Sequence, residues 1–381
     1  MKTADKFPDV QPLKWKVRTL KNEFSVAVRQ NEERTIRNFY NKMNDYDVNV
    51  RIRKSYQFLK KFKSKKNYKQ AYISTRTWEE ILKESEGPEL DFIEEGNTCP
   101  LTEPPTVEEM SEIIQRSCNG KSAGPDGLRM ELIKYADKET VKQLMEIWRK
   151  IWMTNVLPSN MEESIQVPIP KISRPREADH FRRISLCCVG YKPYAKWIKN
   201  RLKRFTGELD KCQAAFTEGR STEDQIFIAR RIMEENWNSG KKLVAVALDI
   251  KKAFDNVKLE HLKDVLLRLE VPTHIINRTL RCIKEERTRV RWQNQLSKEV
   301  KRGKGIKQGC PLSPFLFNLI MQSVLKKVAE KVPRLKPSST GMLEPPCILA
   351  FADDLLILAE KQEDLERIIE AIKQCLGEVG L

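Results

Sequence analysis

Three carboxylates carry the chemistry most easily read from this sequence. The run KKLVAVALDI ends in Asp249 and leads into the turn-like KKAFDNV, so a carboxylate emerges where a buried strand meets solvent. Further along, CILAFADDLLILA sets Asp353 and Asp354 between two apolar, β-forming arms. Adjacent acids flanked by strand formers repel one another and resist partial burial, so a cation is needed to compensate them. With the pair at a hairpin tip and the Asp249 strand alongside, the three converge. Such a cluster suits two Mg²⁺ ions about 3.5–4 Å apart, which would activate a hydroxyl nucleophile and stabilise a departing pyrophosphate. For the pair taken alone, an exposed Asp-Asp β-turn is the alternative.

The elements that must position these groups are legible from periodicity. KETVKQLMEIWRKIWM, TEDQIFIARRIMEENW and KQEDLERIIEAIKQCL carry apolar residues at helical spacing, whereas SIQVPIP, KKLVAVALDI, TRVRWQ and CILAFADDLLILA read as strands. Thr106 followed by Glu109 has the form of a capping box opening a helix that runs to about Ser117. No internal repeat is visible. The order predicts an α+β fold with a small, largely antiparallel sheet packed on helices.

Charge divides the chain. The net charge is +17, which points to a polyanionic partner. Residues 1–78 hold 20 Lys or Arg against 7 Asp or Glu, interleaved with aromatics such as Trp15, Tyr40 and Tyr56, while residues 79–110 hold 1 against 11. The segment EFSVAVRQNEERTIRNFY has helical spacing, so the arm is expected to be partly helical. Expected, then, are a basic arm over 1–78, an acidic linker over 79–104 and a folded region over 105–381. The arm reads equally as a nucleic-acid-binding element with stacking rings and as a solvated, packed surface. The nine cysteines are scattered without a C-x-x-C pair, which argues against a zinc or disulfide framework. No apolar run is long enough for a membrane span, and the first ten residues lack a signal-peptide core, so an intracellular chain with no membrane partner is expected.

Six blocks in order resemble the reverse transcriptase of non-LTR (LINE-type) retrotransposons: NGKSAGPDGLRMELIK at 119–134, VPIPK at 167–171 with FRRISL at 181–186, QAAFTEGRSTEDQIF at 213–227, ALDIKKAFDNV at 247–257, GIKQGCPLSPFLFNLI at 305–320, and FADD at 351–354. The resemblance implies a right-hand polymerase with fingers and palm that extends a DNA primer on an RNA template from deoxynucleoside triphosphates. Asp249, Asp353 and Asp354 would then hold two Mg²⁺ ions. By the same resemblance Lys171 and Arg182 contact the triphosphate, and Phe254 is the steric gate against a ribose 2′-hydroxyl, which disfavours an RNA-synthesising polymerase. Gln308 and Gly309 would lie where the incoming nucleotide meets the template. On the residues alone, Phe254 could be a core phenylalanine and Gln308–Gly309 an ordinary turn closed by Pro311. The GPDG turn at 124–127 reads as structural.

Two departures stand out. Arg183 replaces the proline of the family's RPISL, and Ala215 the glycine of QAGF. The first frees a fixed backbone φ, and the second forbids a cheap positive φ. The family would continue past Leu381 into motif D and a thumb, so the chain is expected to lack a thumb and to hold primer-template poorly by itself. A second reading follows: a truncated or decayed derivative that binds nucleic acid without polymerising.

Overall fold

The alternating pattern resolves into two sheets, each clamped by helices. The structure is a computed structural model that describes residues 73–84, 90–94, 103–284, 286–293, 295–332, 335 and 345–381. The chain divides into two units, Met1–Tyr68 and Lys69–Leu381, and every described residue belongs to the second. Of the expected arm over 1–78, residues 1–72, including EFSVAVRQNEERTIRNFY, lie outside the described residues. In chain order the elements are α1 (Thr75–Lys83), α2 (Val107–Gln115), α3 (Met130–Lys134), α4 (Lys138–Thr154), α5 (Ser159–Glu162), β1 (Glu163–Pro170), β2 (Phe181–Cys187), α6 (Tyr191–Thr206), α7 (Thr222–Asn238), β3 (Val244–Asp249), α8 (Ala253–Asn256), α9 (Leu259–Arg268), α10 (Thr273–Lys284), β4 (Arg287–Trp292), β5 (Gln295–Leu296), β6 (Val300–Lys301), α11 (Ser313–Lys331), β7 (Ile348–Phe351), β8 (Asp354–Ala359) and α12 (Gln362–Val379). The mixture of helices and sheets is the expected α+β class. The capping box is present at α2, where Thr106 and Glu109 satisfy each other's backbone amides.

The larger sheet has the order β2-β1-β4-β5, with β6 also on β4. β1 pairs antiparallel with β2 (Val167↔Ile184) and parallel with β4 (Ser164↔Thr288). One end is closed by three rings: Trp78 of α1 meets Phe181 at 5.8 Å and Trp292 at 5.5 Å, and Phe181 meets Trp292 at 5.1 Å. Both Phe181 contacts are edge-to-face, a geometry that adds to the area these rings bury.

The smaller sheet, β3-β8-β7, is antiparallel throughout. Leu248, Leu355, Ile357 and Ala350 pack into the main core with α11 and α12, while Leu349 and Leu358 meet Ala229 and Ile232 of α7. Apolar residues are therefore needed on both sides of β7 and β8, which is why CILAFADDLLILA runs almost unbroken instead of alternating. Among the described residues, no helix is long and apolar enough to cross a membrane.

Candidate active site

β3 ends on Asp249, and β8 begins on Asp354 directly opposite it in the antiparallel register. Phe351 pairs with Asp354, so Ala352 and Asp353 form a two-residue hairpin loop. Such a loop needs a left-handed backbone, and Ala352 supplies it at φ 58° without being glycine. The buried Gln213 holds that conformation: its Oε1 accepts from the Ala352 amide at 2.9 Å and the Ala215 amide at 3.0 Å, and its Nε2 donates to the Ala352 carbonyl at 3.3 Å. The Ile250 amide donates to the Asp353 carbonyl at 3.3 Å, tying the loop to the end of β3. The QAAF segment thus braces the acidic loop, a role that sequence reading does not assign to it.

A cleft of about 500 Å³ brings together six of the eight candidate residues: Lys171, Arg182, Asp249, Phe254, Gln308 and Asp353. The other two lie beside it. Asp354 faces an apolar hollow along α7 that Asp249 also lines, and Gly309 lies in a separate groove with Lys192 and Lys196. Burial raises the pKa of the Asp353 carboxyl, and the charges of Asp354 and Asp249 raise it further, against a lowering by its own backbone amide and a smaller one by Arg182. Among the described residues, no three His, Cys, Asp or Glu side chains are arranged to hold a metal ion. The donor set still fits a hard divalent cation: it is made of carboxylate oxygens only, two of them raising the proton affinity of the third.

The remaining residues are placed by packing. Phe254 is half-buried, stacked on Phe317 of α11 at 4.8 Å and 18° and met edge-on by Phe216 at 6.4 Å. It is a packed ring and a cleft wall at once. Gln308 passes its carbonyl to the Ser185 amide at 2.6 Å, while its Oε1 is buried without a hydrogen-bond partner. An orphaned acceptor lining a cleft is a group held ready for a ligand donor. Gly309, at φ 117°, lies so close to β2 that a Cβ would meet the Ser185 carbonyl at 2.5 Å. The close backbone approach is thus made to the strand. The GPDG turn is structural, as expected: a Cβ on Gly124 would strike the Cys187 carbonyl at 2.3 Å, and Asp126 accepts from the Val189 amide at 2.6 Å.

Both departures from the family pattern are accommodated. The left-handed φ falls on Phe216 (56°) and not on Ala215, so alanine carries no backbone penalty. Arg183 donates to Asp255 at 2.7 Å, and Arg302 takes the other oxygen of the same carboxylate at 2.6 Å. Asp255 and Arg302 carry no chemical signature in the sequence that would single them out.

The family described as reverse transcriptase (RNA-dependent DNA polymerase) matches residues 169–381. A retrovirus-related Pol polyprotein from the type-1 retrotransposable element R2 of Nasonia vitripennis is 30% identical over 290 residues, which cover 75% of this chain and 27% of that protein. The Pol polyprotein of the type-2 element R2DM of Drosophila melanogaster is 26% identical over 68% of this chain and 24% of its own length. The chain thus spans about a quarter of the curated relatives it matches. Among solved structures, apo telomerase from Candida tropicalis aligns with a TM-score of 0.42 and 15% identity over 62% of this chain and 53% of its own.

Proposed function

Because the chain belongs to the reverse transcriptase (RNA-dependent DNA polymerase) family, and its relatives are Pol proteins of R2 and other non-LTR retrotransposons, we propose that its cleft extends a DNA primer on an RNA template. The observation that carries this is the single cleft in which Asp249, Asp353, Phe254, Gln308, Lys171 and Arg182 meet. In this reading residues 105–381 are fingers and palm, with the larger sheet as fingers and the smaller as palm, preceded by a basic arm and an acidic linker.

Reverse transcriptases use divalent metal ions. Asp249, Asp353 and Asp354 would hold two Mg²⁺, which when bound favour the deprotonated primer 3′-hydroxyl and neutralise charge on the departing pyrophosphate. The chain's own residues do the rest. Lys171 and Arg182, lining the same cleft as the β3 end, bind and orient the triphosphate, and that positioning with charge stabilisation is most of what phosphoryl transfer needs. Phe254, wedged between Phe317 and Phe216, presents a rigid wall to the sugar and excludes a 2′-hydroxyl. Gln308 offers its unpaired Oε1 to a donor on the nucleotide or template.

Primer extension with Mg²⁺, deoxynucleotides and an RNA template primed by DNA tests this, using the chain by itself and joined to the downstream portion of an R2 relative. Extension that vanishes in Asp353→Asn is expected from the joined protein. A joined protein that folds, binds primer-template and incorporates nothing would overturn the polymerase reading in favour of a binding-only derivative.

A further inference from the structure

Asp255 follows the cleft-lining Phe254 in a four-residue turn, α8, that has no side-chain cap and opens on a left-handed Lys252 (φ 54°). A turn this short does not hold its own geometry. Its support comes from outside. Arg183 of β2 and Arg302, in the loop after β6, each take one oxygen of the Asp255 carboxylate, at 2.7 and 2.6 Å. Arg302 is almost fully buried, and it also reaches Glu286 at 3.5 Å and donates Nε to the Lys304 carbonyl at 3.0 Å. Glu286 in turn is buried and bonded to Ser164 of β1. The backbone adds two straps: the Ile306 amide donates to the Phe254 carbonyl at 2.8 Å and the Gly305 amide to the Val257 carbonyl at 2.7 Å. A Cβ at Gly305 would come within 2.7 Å of the Asp255 carbonyl, so the glycine permits this approach.

β2 therefore places two adjacent arginines along the cleft: Arg182 and Arg183 both line it, and Arg183 also grips the turn that carries Phe254. Arg183 stands where the family pattern has proline, a residue with no donor to offer. We propose that the Arg183–Asp255–Arg302 ion cluster is a positioning device for sugar selection: it fixes the spacing between the triphosphate-facing strand β2 and the Phe254 wall. The inference deepens the polymerase reading and rests on it for the sugar, but not for the placement of the ring. Arg302 stands behind the cleft lining, and Arg183, which lines it, spends its guanidinium on Asp255. Two guanidiniums face the two carboxylates Asp255 and Glu286, and buried Lys307 adds a further cation near Glu286. Arg302 takes part in both pairs, so Arg183 is the member whose removal leaves the others satisfied.

Two measurements on the full chain test this. The first needs no catalysis: 4-fluorophenylalanine placed at position 254 gives one narrow ¹⁹F resonance in the parent, which should shift or broaden in Arg183→Ala and Arg183→Pro and return in Arg183→Lys, which keeps a charged donor. The second is single-nucleotide incorporation on an RNA template, by the chain itself or joined to the R2 downstream portion. Here Arg183→Ala should raise the KM for deoxynucleotide and the ratio of ribo- to deoxynucleotide use by about tenfold, within the roughly hundredfold that a ~1 Å misplacement can cost, with kcat changing much less. Arg183→Lys should recover most of the ratio. An unchanged ¹⁹F resonance in Arg183→Ala and Arg183→Pro overturns the proposal, as does equal loss of kcat for both sugars with no change in their ratio. A shifted resonance in a protein that polymerises nothing would leave the device standing and remove the polymerase reading instead.

Discussion

Gln213 makes both backbone hydrogen bonds of Ala352, accepting from its amide at 2.9 Å and donating to its carbonyl at 3.3 Å. The left-handed Ala352 that turns the chain between the two strands is thus held by one side chain from 139 residues upstream. Replacing Gln213 by Leu takes this partner from two amides, those of Ala352 and Ala215, and from the Ala352 carbonyl, at a cost of about 2–4 kcal/mol. Urea unfolding should show that cost, and primer extension should fall mainly in kcat because Asp353 swings with the loop. A Gln213→Leu protein of parental stability would show that the loop holds itself.

Asp353→Asn separates activity from stability. Burial and the two neighbouring carboxylates disfavour its charge, so removing the charge should leave the metal-free protein at least as stable as the parent. Mg²⁺ should raise the parent's melting temperature by binding the folded state alone, and raise that of the variant much less. Equal Mg²⁺ responses would place the ions elsewhere.

Glu109 is the hub of a separate network. Burial pushes its carboxyl up, but the Trp197 N–H (2.9 Å), the Thr106 amide, Arg201 (3.0 Å) and Arg204 (3.4 Å) outweigh this and hold it below the usual range. A depressed folded pKa contributes stability that is fully present above the unfolded value of about 4.3, and is lost as pH falls through the folded value. Glu109→Gln should therefore cost about 1–3 kcal/mol near neutrality, with the gap to the parent narrowing below about pH 4.3. A gap independent of pH between neutrality and strong acid would contradict the assignment.

Gly309→Ala tests the packing of the 305–320 block against β2. The new Cβ would need a φ of 117° and would sit 2.5 Å from the Ser185 carbonyl, so the turn must move off β2. A destabilisation of about 2 kcal/mol or more follows from strain of this kind. The Gln308–Ser185 hydrogen bond should break with it, read as faster exchange of the Ser185 amide.

Legibility in the sequence follows the range of the interactions. The helices α4, α7 and α12 and the strands β1, β3, β4, β7 and β8 are readable because periodicity and the acids between apolar arms are local signals. So is the Thr106–Glu109 box, whose two members stand one helical turn apart. What cannot be read is what two distant segments make together. Gln213 braces Ala352, Arg183 compensates Asp255, and Gly309 is used against Ser185. Each is an ordinary polar residue or glycine until the fold brings its partner alongside. Asp249 and Asp353 share the cleft, whereas Asp354, equally conspicuous in FADD, lines the α7-side hollow together with Asp249, its partner across the strands; the register decides that, not composition.

The charge at the amino terminus gives the last prediction. Residues 1–78 hold 20 Lys or Arg against 7 Asp or Glu, the basis for assigning RNA affinity to the arm. Yet charge alone sets a poor boundary, because Thr75–Lys83 forms α1, and Trp78 is fully buried against Phe181 and Trp292. Removing residues 1–68 should therefore leave the second unit folded, whereas removing 1–78 takes away a core tryptophan and should cost about 3–5 kcal/mol. With folding preserved in the shorter truncation, the arm's contribution can be read cleanly. Every RNA phosphate that the arm neutralises should add about 0.7 to the slope of log K against log salt for a single strand. If residues 1–68 neutralise about three phosphates, their removal should flatten the slope by about 2. A slope identical in the full chain and in the 69–381 protein would show that these lysines and arginines face solvent, and that the RNA is held by the fingers and palm alone.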